Sequence, residues 1–191
     1  KNMRTSNRAL PAGLIDLKPF GPPIYPYQPN GIWSKVGGTS YKYEVSPGPE
    51  RPRRGLYVIL KRGSPYPSFV NFDATARLAC TVKRSRTNTP LQALTLLNDP
   101  VYVEAAEALA RRAVDENPRA SLVEQLEYAF QLCTSRRPTD TENNALHYLY
   151  TETYSAAQDS KRQVDQEAAK SKAWYSVATV LLNLHETITK D

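Results

Sequence analysis

Apolar residues recur at helical spacing along the second half of the chain. Leu122, Leu126, Phe130 and Cys133 form one stripe, Leu146, Leu149, Tyr150 and Tyr154 a second, and Trp174, Val177, Ala178, Leu181, Leu182, Leu184 and Ile188 a third. Steps of three and four residues place each set on one face of an α-helix. Start signals accompany the stripes. Thr89-Pro90-Leu91-Gln92 offers a capping Thr, a Pro at the first helical position and a Gln at the third. Asp99-Pro100 repeats the cap and the Pro, and Ser121-Leu122-Val123-Glu124 and Thr139-Asp140-Thr141-Glu142 are capping boxes. Pro118 and Pro138 fall between helices as breaks. Residues 155–173 are polar, Ala-rich and mixed in charge, which predicts an exposed helix or a link between helices.

The first half follows another rule. Pro11, Pro19, Pro22, Pro23, Pro26 and Pro29 each fix their own φ and bias the preceding residue away from helix. The backbone there must be extended. Its apolar members Leu14, Ile15, Leu17, Phe20, Ile24, Tyr25, Tyr27, Ile32 and Trp33 imply that it lies against something, because a disordered Pro-rich linker is poorer in aromatics. With little scope for local pairing, packing against structure outside this chain is expected. Tyr41, Tyr43 and Val45 alternate with Lys42 and Glu44 as a short strand, and residues 55–60 read as the best strand. Residues 64–68 read as a rigid extended turn before Phe69-Val70-Asn71-Phe72. The pattern predicts a mainly α protein: a Pro-rich irregular segment with a few short strands over residues 1–75, then a C-terminal helical bundle within residues 76–191.

Composition narrows the function classes. At 191 residues with 40% hydrophobic content, the chain suits one domain or one and a half. The formal charge of +6 is scattered apart from a knot at Lys83, Arg84 and Arg86, which favours a solvated or internally paired surface over nucleic-acid binding. Cys80 and Cys133 have no metal-binding spacing; they are two buried thiols, or one bridge if the compartment is oxidising. No run of about 20 apolar residues is present, so no membrane span is expected.

Candidate chemistry is sparse. His147 and His185 lack ligand-spaced companions, and there is no G-x-S-x-G elbow, so no catalytic or metal residue is assigned. Cys80 sits among Thr, Lys and Arg but has no candidate His base nearby. The densest polar cluster is Asp73, Arg77, Lys83, Arg84, Arg86 and Asn88, just before a helix start. It is either an anion site, for sulfate or carboxylate groups of a polysaccharide, or an internal Arg–carboxylate lattice with Asp73 and Asp99 as acceptors; the lattice is favoured. Tyr25, Tyr27, Trp33, Tyr41, Tyr43, Tyr57 and Tyr66 are either a platform for sugar rings or an interface; the interface is favoured on so Pro-stiffened a backbone.

Long stretches resemble one family. Pro26-Tyr27-Gln28-Pro29 with Gly31-Ile32-Trp33 resembles the PYQPxGxW stretch of PSD1 (DUF1553) domains, and Arg53-Arg54-Gly55-Leu56-Tyr57 and Ser64-Pro65-Tyr66-Pro67-Ser68 resemble its RRGLY and SPYPS segments. Phe72-Asp73-Ala74, Cys80-Thr81-Val82-Lys83-Arg84 and Arg86-Thr87-Asn88-Thr89-Pro90-Leu91-Gln92-Ala93-Leu94 are similar to its central signature, continued by Leu97-Asn98-Asp99-Pro100. Arg136-Arg137-Pro138-Thr139 resembles its RxPT turn. Leu181-Leu182-Asn183-Leu184-His185-Glu186 resembles its closing LLNLDEF segment, with His185 and Thr187 in place of the usual Asp and Phe. The resemblance implies the C-terminal part of a larger exported protein, periplasmic or at the cell surface, of a kind typical of planctomycetes. It implies upstream partners of DUF1549-like and cytochrome c-like type in the same protein. Haem c would belong to those modules, since this chain has no Cys-x-x-Cys-His and no cofactor is expected in it. The resemblance carries no reaction, so the expected role is structural and interactive. The alternative is part of the active or binding cleft of a polysaccharide-acting or oxidoreductase enzyme.

Overall fold

The computed structural model describes residues 12–33, 42–48, 52–75, 79–159 and 165–189. Among them seven α-helices follow in order: α1 (Pro67–Asn71), α2 (Pro90–Asn98), α3 (Pro100–Asp115), α4 (Leu122–Thr134), α5 (Asp140–Asp159), α6 (Gln166–Asn183) and α7 (His185–Ile188). The expected caps are in place. Thr89 Oγ1 accepts from Gln92 N at 3.3 Å while Gln92 Oε1 accepts from Thr89 N at 3.4 Å. Asp99 Oδ1 accepts from Val101 N at 2.9 Å. Ser121 with Glu124 and Thr139 with Glu142 make the same reciprocal pair as Thr89 with Gln92. Each satisfies amides that a helix start leaves without intrahelical acceptors.

The bundle is organised around α6, which touches α2, α3, α4, α5 and α7. Leu109, Leu126, Phe130, Val177 and Leu181 are at most 2% exposed, and each contributes about 1.5–3 kcal/mol by leaving water. Alanines close the spaces between them: Ala105, Ala106 and Ala113 on α3 and Ala169, Ala173 and Ala178 on α6 are all buried. Small side chains let helices pack at close interaxial distance. Cys133 is a reduced residue of this core, Cys80 is an exposed thiol, and no disulfide joins them. No helix among the described residues is long and apolar enough to cross a membrane.

The mainly α character follows the sequence pattern; four details depart from it. First, no strand forms among the described residues, only two isolated parallel bridges, Asp16 with Arg53 and Ile24 with Val58. Ile24 N donates to Tyr57 O at 2.8 Å and Ile59 N to Ile24 O at 3.0 Å. A parallel ladder would next need amides two residues to either side, and those positions are Pro22 and Pro26. The expected strand at residues 55–60 begins instead as a 3-10 turn, Gly55–Tyr57. Residues 42–48 are irregular, and Tyr41 lies outside the described residues. Second, the turn expected at 64–68 runs into α1, with Pro67 in its first turn and Phe69 buried against Tyr66. Third, the 155–173 region is helical and mostly exposed, as expected, yet Ala157, Ala169 and Ala173 are buried on the packed faces of α5 and α6; residues 160–164 lie outside the described residues. Fourth, the last stripe is split, because Leu184 takes ψ 140° and ends α6 before the single turn of α7.

The Pro-rich segment also finds more of its partners inside the chain than its sequence implies. Ala12 joins the bundle core with Leu14 packed on it, and Ile24 and Trp33 are buried. Leu17 and Phe20 remain exposed. Residues 52–66 supply the opposing surface, which a purely local reading of the first thirty residues cannot see.

Candidate functional site

The polar cluster before α2 is built on the end of α1. That five-residue helix leaves carbonyls unpaired at its C-terminus. Asp73 turns the chain in the left-handed region, φ 57°. The freed carbonyls then meet side chains from the next segment. Gln92 Nε2 donates to Asn71 O at 2.8 Å, Arg84 Nη2 to Phe72 O at 2.8 Å, and Arg84 Nε to Asp73 O at 2.8 Å. The Asp73 carboxylate accepts from Thr87 N and from Thr87 Oγ1, each at 2.9 Å, and Gln92 Nε2 also donates to Thr87 Oγ1 at 2.9 Å. Asn71 Nδ2 reaches Thr95 Oγ1 on α2 at 3.0 Å. The cluster thus fastens the 79–89 segment to both short helices. The Arg84 guanidinium bonds the carbonyl oxygens of Phe72 and Asp73, and Asp99, expected as an acceptor for arginine, caps α3. Arg86 and Asn88 lie exposed on the same segment, and Arg77 is outside the described residues.

Gln92 is 1% exposed, so it is a core residue as well as the cap that its sequence position predicts. The signal for more was its position four residues before the buried Leu96, on the same helical face.

The aromatic residues interlock. Trp33 is 4% exposed, meeting Tyr43 at 4.8 Å and Tyr25 at 6.2 Å between centroids, both edge-on. Lys61 Nζ stands 4.9 Å from the Trp33 ring centroid, and Trp33 Nε1 donates to Ser64 O at 3.1 Å. The Tyr43 hydroxyl donates to Pro26 O, and burial pushes that phenol up to about 12. Tyr27 is exposed and makes no ring contact among the described residues. Trp33 and Tyr27 therefore do not share an open stacking face. The short, one-sided stacking platform that a sugar requires needs an uncovered ring.

A loop that sequence reasoning left unassigned stands beside this cluster. Phe20 adopts φ 64° and is 83% exposed. Arg53 grips it, donating to Lys18 O at 3.0 Å, Pro22 O at 3.1 Å and Phe20 O, while its guanidinium lies 3.7 Å over the Tyr57 ring. The Tyr57 hydroxyl in turn accepts from Phe20 N at 2.8 Å.

Two further groups are electrostatically distinct. Burial raises the Asp99 carboxyl above its ordinary value, against the opposing pull of the Val101 amide, and burial also raises the neighbouring Tyr66 phenol. Ser68 Oγ lies between them; it is close enough to lower both, yet it reaches hydrogen-bond geometry with no described residue. Arg136 binds Glu142 at 2.6 Å and Glu186 at 2.9 Å over the Phe130 ring, tying α4, α5 and α7 together. That guanidinium, helped by the Thr139 amide, holds Glu142 down at about 2. His147 and His185 are exposed. No three His, Cys, Asp or Glu side chains among the described residues group in a way that could hold a metal ion.

No curated protein and no solved structure matches the chain. The model of one family, PSD1, described as a protein of unknown function (DUF1553), matches residues 6–150. With most of the chain covered in that match, and with the clustered residues 71–99 inside it, the chain belongs to the PSD1 (DUF1553) family.

Proposed function

We propose that this chain is a structural and interaction domain, without catalysis of its own, of a larger exported multi-domain protein of periplasm or cell surface. One observation carries the reading. The most polar cluster in the chain directs Arg84 and Gln92 to its own backbone carbonyls and the Asp73 carboxylate to its own Thr87. Donors committed in this way hold a loop in shape and are not presented to a ligand. The exposed Phe20, Leu17 and Leu56 supply apolar surface that suits docking of neighbouring modules, here DUF1549-like and cytochrome c-like ones that would carry any haem.

Separate expression tests it. Upstream modules of the same protein, mixed with the 191-residue chain, should form a 1:1 complex in size-exclusion chromatography with light scattering, and Phe20→Asp should weaken it. Independent migration of the two, or turnover of a substrate by this chain alone, would overturn the reading.

A further inference from the structure

The carboxyl-terminal half of α3, the start of α4 and the first turns of α6 enclose a groove of about 820 Å³. That lies within the roughly 300–1,000 Å³ of small-molecule sites. Its chemistry is specific. From α3 it takes Glu107, Arg111 and Asp115, spaced by four and therefore on one helical face. From α6 it takes Glu167, Lys170 and Lys172. None of these six closes an ion pair with another described residue. Its aromatic surface comes from the partly exposed Tyr150 and Tyr175, backed by the buried Trp174, which meets Tyr150 edge to face at 5.6 Å. Burial, then Tyr154 and Glu167, hold the Tyr150 phenol above its ordinary value, so it stays a donor.

The charges eliminate most ligand classes. A compact anion or a polynucleotide would meet three carboxylates. A compact cation would meet two ammonium groups and a guanidinium. A hydrocarbon chain would find a rim of six exposed ions and little apolar surface to cover. A neutral polyol satisfies both signs at once, because each hydroxyl donates to a carboxylate and accepts from Lys or Arg. The C–H faces of a sugar ring suit the exposed parts of the aromatic wall.

We propose that the groove between α3 and α6 is a binding site for a neutral oligosaccharide. It builds on the reading of the chain as an interaction domain, adding a ligand to it, and lies away from the cluster at Asp73 and Arg84.

The test is titration calorimetry of the 191-residue chain with cellohexaose, xylohexaose, maltohexaose and chitohexaose, followed in parallel by tryptophan fluorescence. Oligogalacturonate and inorganic phosphate serve as anionic probes. The expected result is saturable binding of at least one neutral hexasaccharide with Kd of about 1 mM or tighter. Glu167→Gln and Tyr175→Ala should each weaken it about tenfold or more with an unchanged circular dichroism spectrum. If Tyr175→Ala does not fold, Glu167→Gln carries the test, since that side chain is exposed and outside the core. Absence of heat and of fluorescence change at about 10 mM of every neutral sugar overturns the proposal. So does tighter binding of oligogalacturonate, or wild-type affinity in both variants. Failure here leaves complex formation with upstream modules intact, whereas failure of that complex leaves sugar binding intact, so the two readings fail separately.

Discussion

Replacing Gln92 with Met keeps the length and approximate volume of a fully buried side chain and removes its amide. Three hydrogen bonds disappear: Nε2 to Asn71 O at 2.8 Å, Nε2 to Thr87 Oγ1 at 2.9 Å, and Thr89 N to Oε1 at 3.4 Å. They are not equal. Thr87 Oγ1 keeps the Asp73 carboxylate, and Thr89 is exposed, so water can replace its acceptor. The Asn71 carbonyl is the loss that matters, since a partly buried acceptor deprived of its donor costs about 1–3 kcal/mol. A volume-conserving swap adds little packing penalty. The expected destabilisation is about 2 kcal/mol, which for a chain of this size corresponds to a fall of about 4–8 °C in Tm. Urea unfolding followed at 222 nm reads it, with the slope checked for constancy. Gln92→Glu is the sharper companion: it places a carboxylate against the same carbonyl, so it should be worse than Met at pH 7 and recover as the pH falls. A Met variant within about 0.5 kcal/mol of wild type at unchanged slope would refute the role given to Gln92, since that is the scatter of surface changes.

Three other perturbations have defined signs. Asp99→Asn keeps a capping oxygen while removing a charge that burial disfavours; it should raise Tm at pH 7, with the gain vanishing once the wild-type carboxyl is protonated, and an equal gain at pH 3 would contradict the electrostatic cause. Glu142 has a folded-state value held down near 2, so its contribution is fully present above about pH 4.5 and is lost as pH falls from there through 2; the Tm of Glu142→Gln should be flatter than wild type across that window, measured at low salt. Phe20→Asn relieves a left-handed conformation that Asn tolerates and gives up little burial, so calorimetry should show unchanged or higher stability, by up to about 1 kcal/mol.

The helical half was legible because its signals are local. Thr89, Asp99, Ser121 and Thr139 start helices by bonding within three residues, and the stripe from Leu122 to Cys133 needs only the helical period to mark its buried side. What escaped the sequence is non-local or a matter of degree. The strand expected at residues 55–60 fails because the segment it meets, some thirty positions earlier, carries Pro22 and Pro26 on either side of Ile24. The exposed-helix reading of residues 155–173 holds for most of their side chains; what it lacks is the inward turn of Ala157, Ala169 and Ala173, whose small size gives no periodic apolar signal. For the candidate site, the residue types near Asp73 pointed to a dense network, but a guanidinium can take a carboxylate, an anion or a carbonyl, and only the unsatisfied end of α1 decides among them. The groove went unseen because its residues come from α3, α4, α5 and α6 and share no motif.

Arg84 provides the most direct measurement. If the cluster is a closed structural clasp, Arg84→Met strips donors from Phe72 O and Asp73 O and should lower stability by about 1–3 kcal/mol in sulfate-free buffer. Sulfate would then protect wild type and variant to the same small extent in thermal unfolding. Unchanged stability in sulfate-free buffer, together with sulfate protection present in the wild type and absent in Arg84→Met, would make the cluster an anion site and contradict the structural reading.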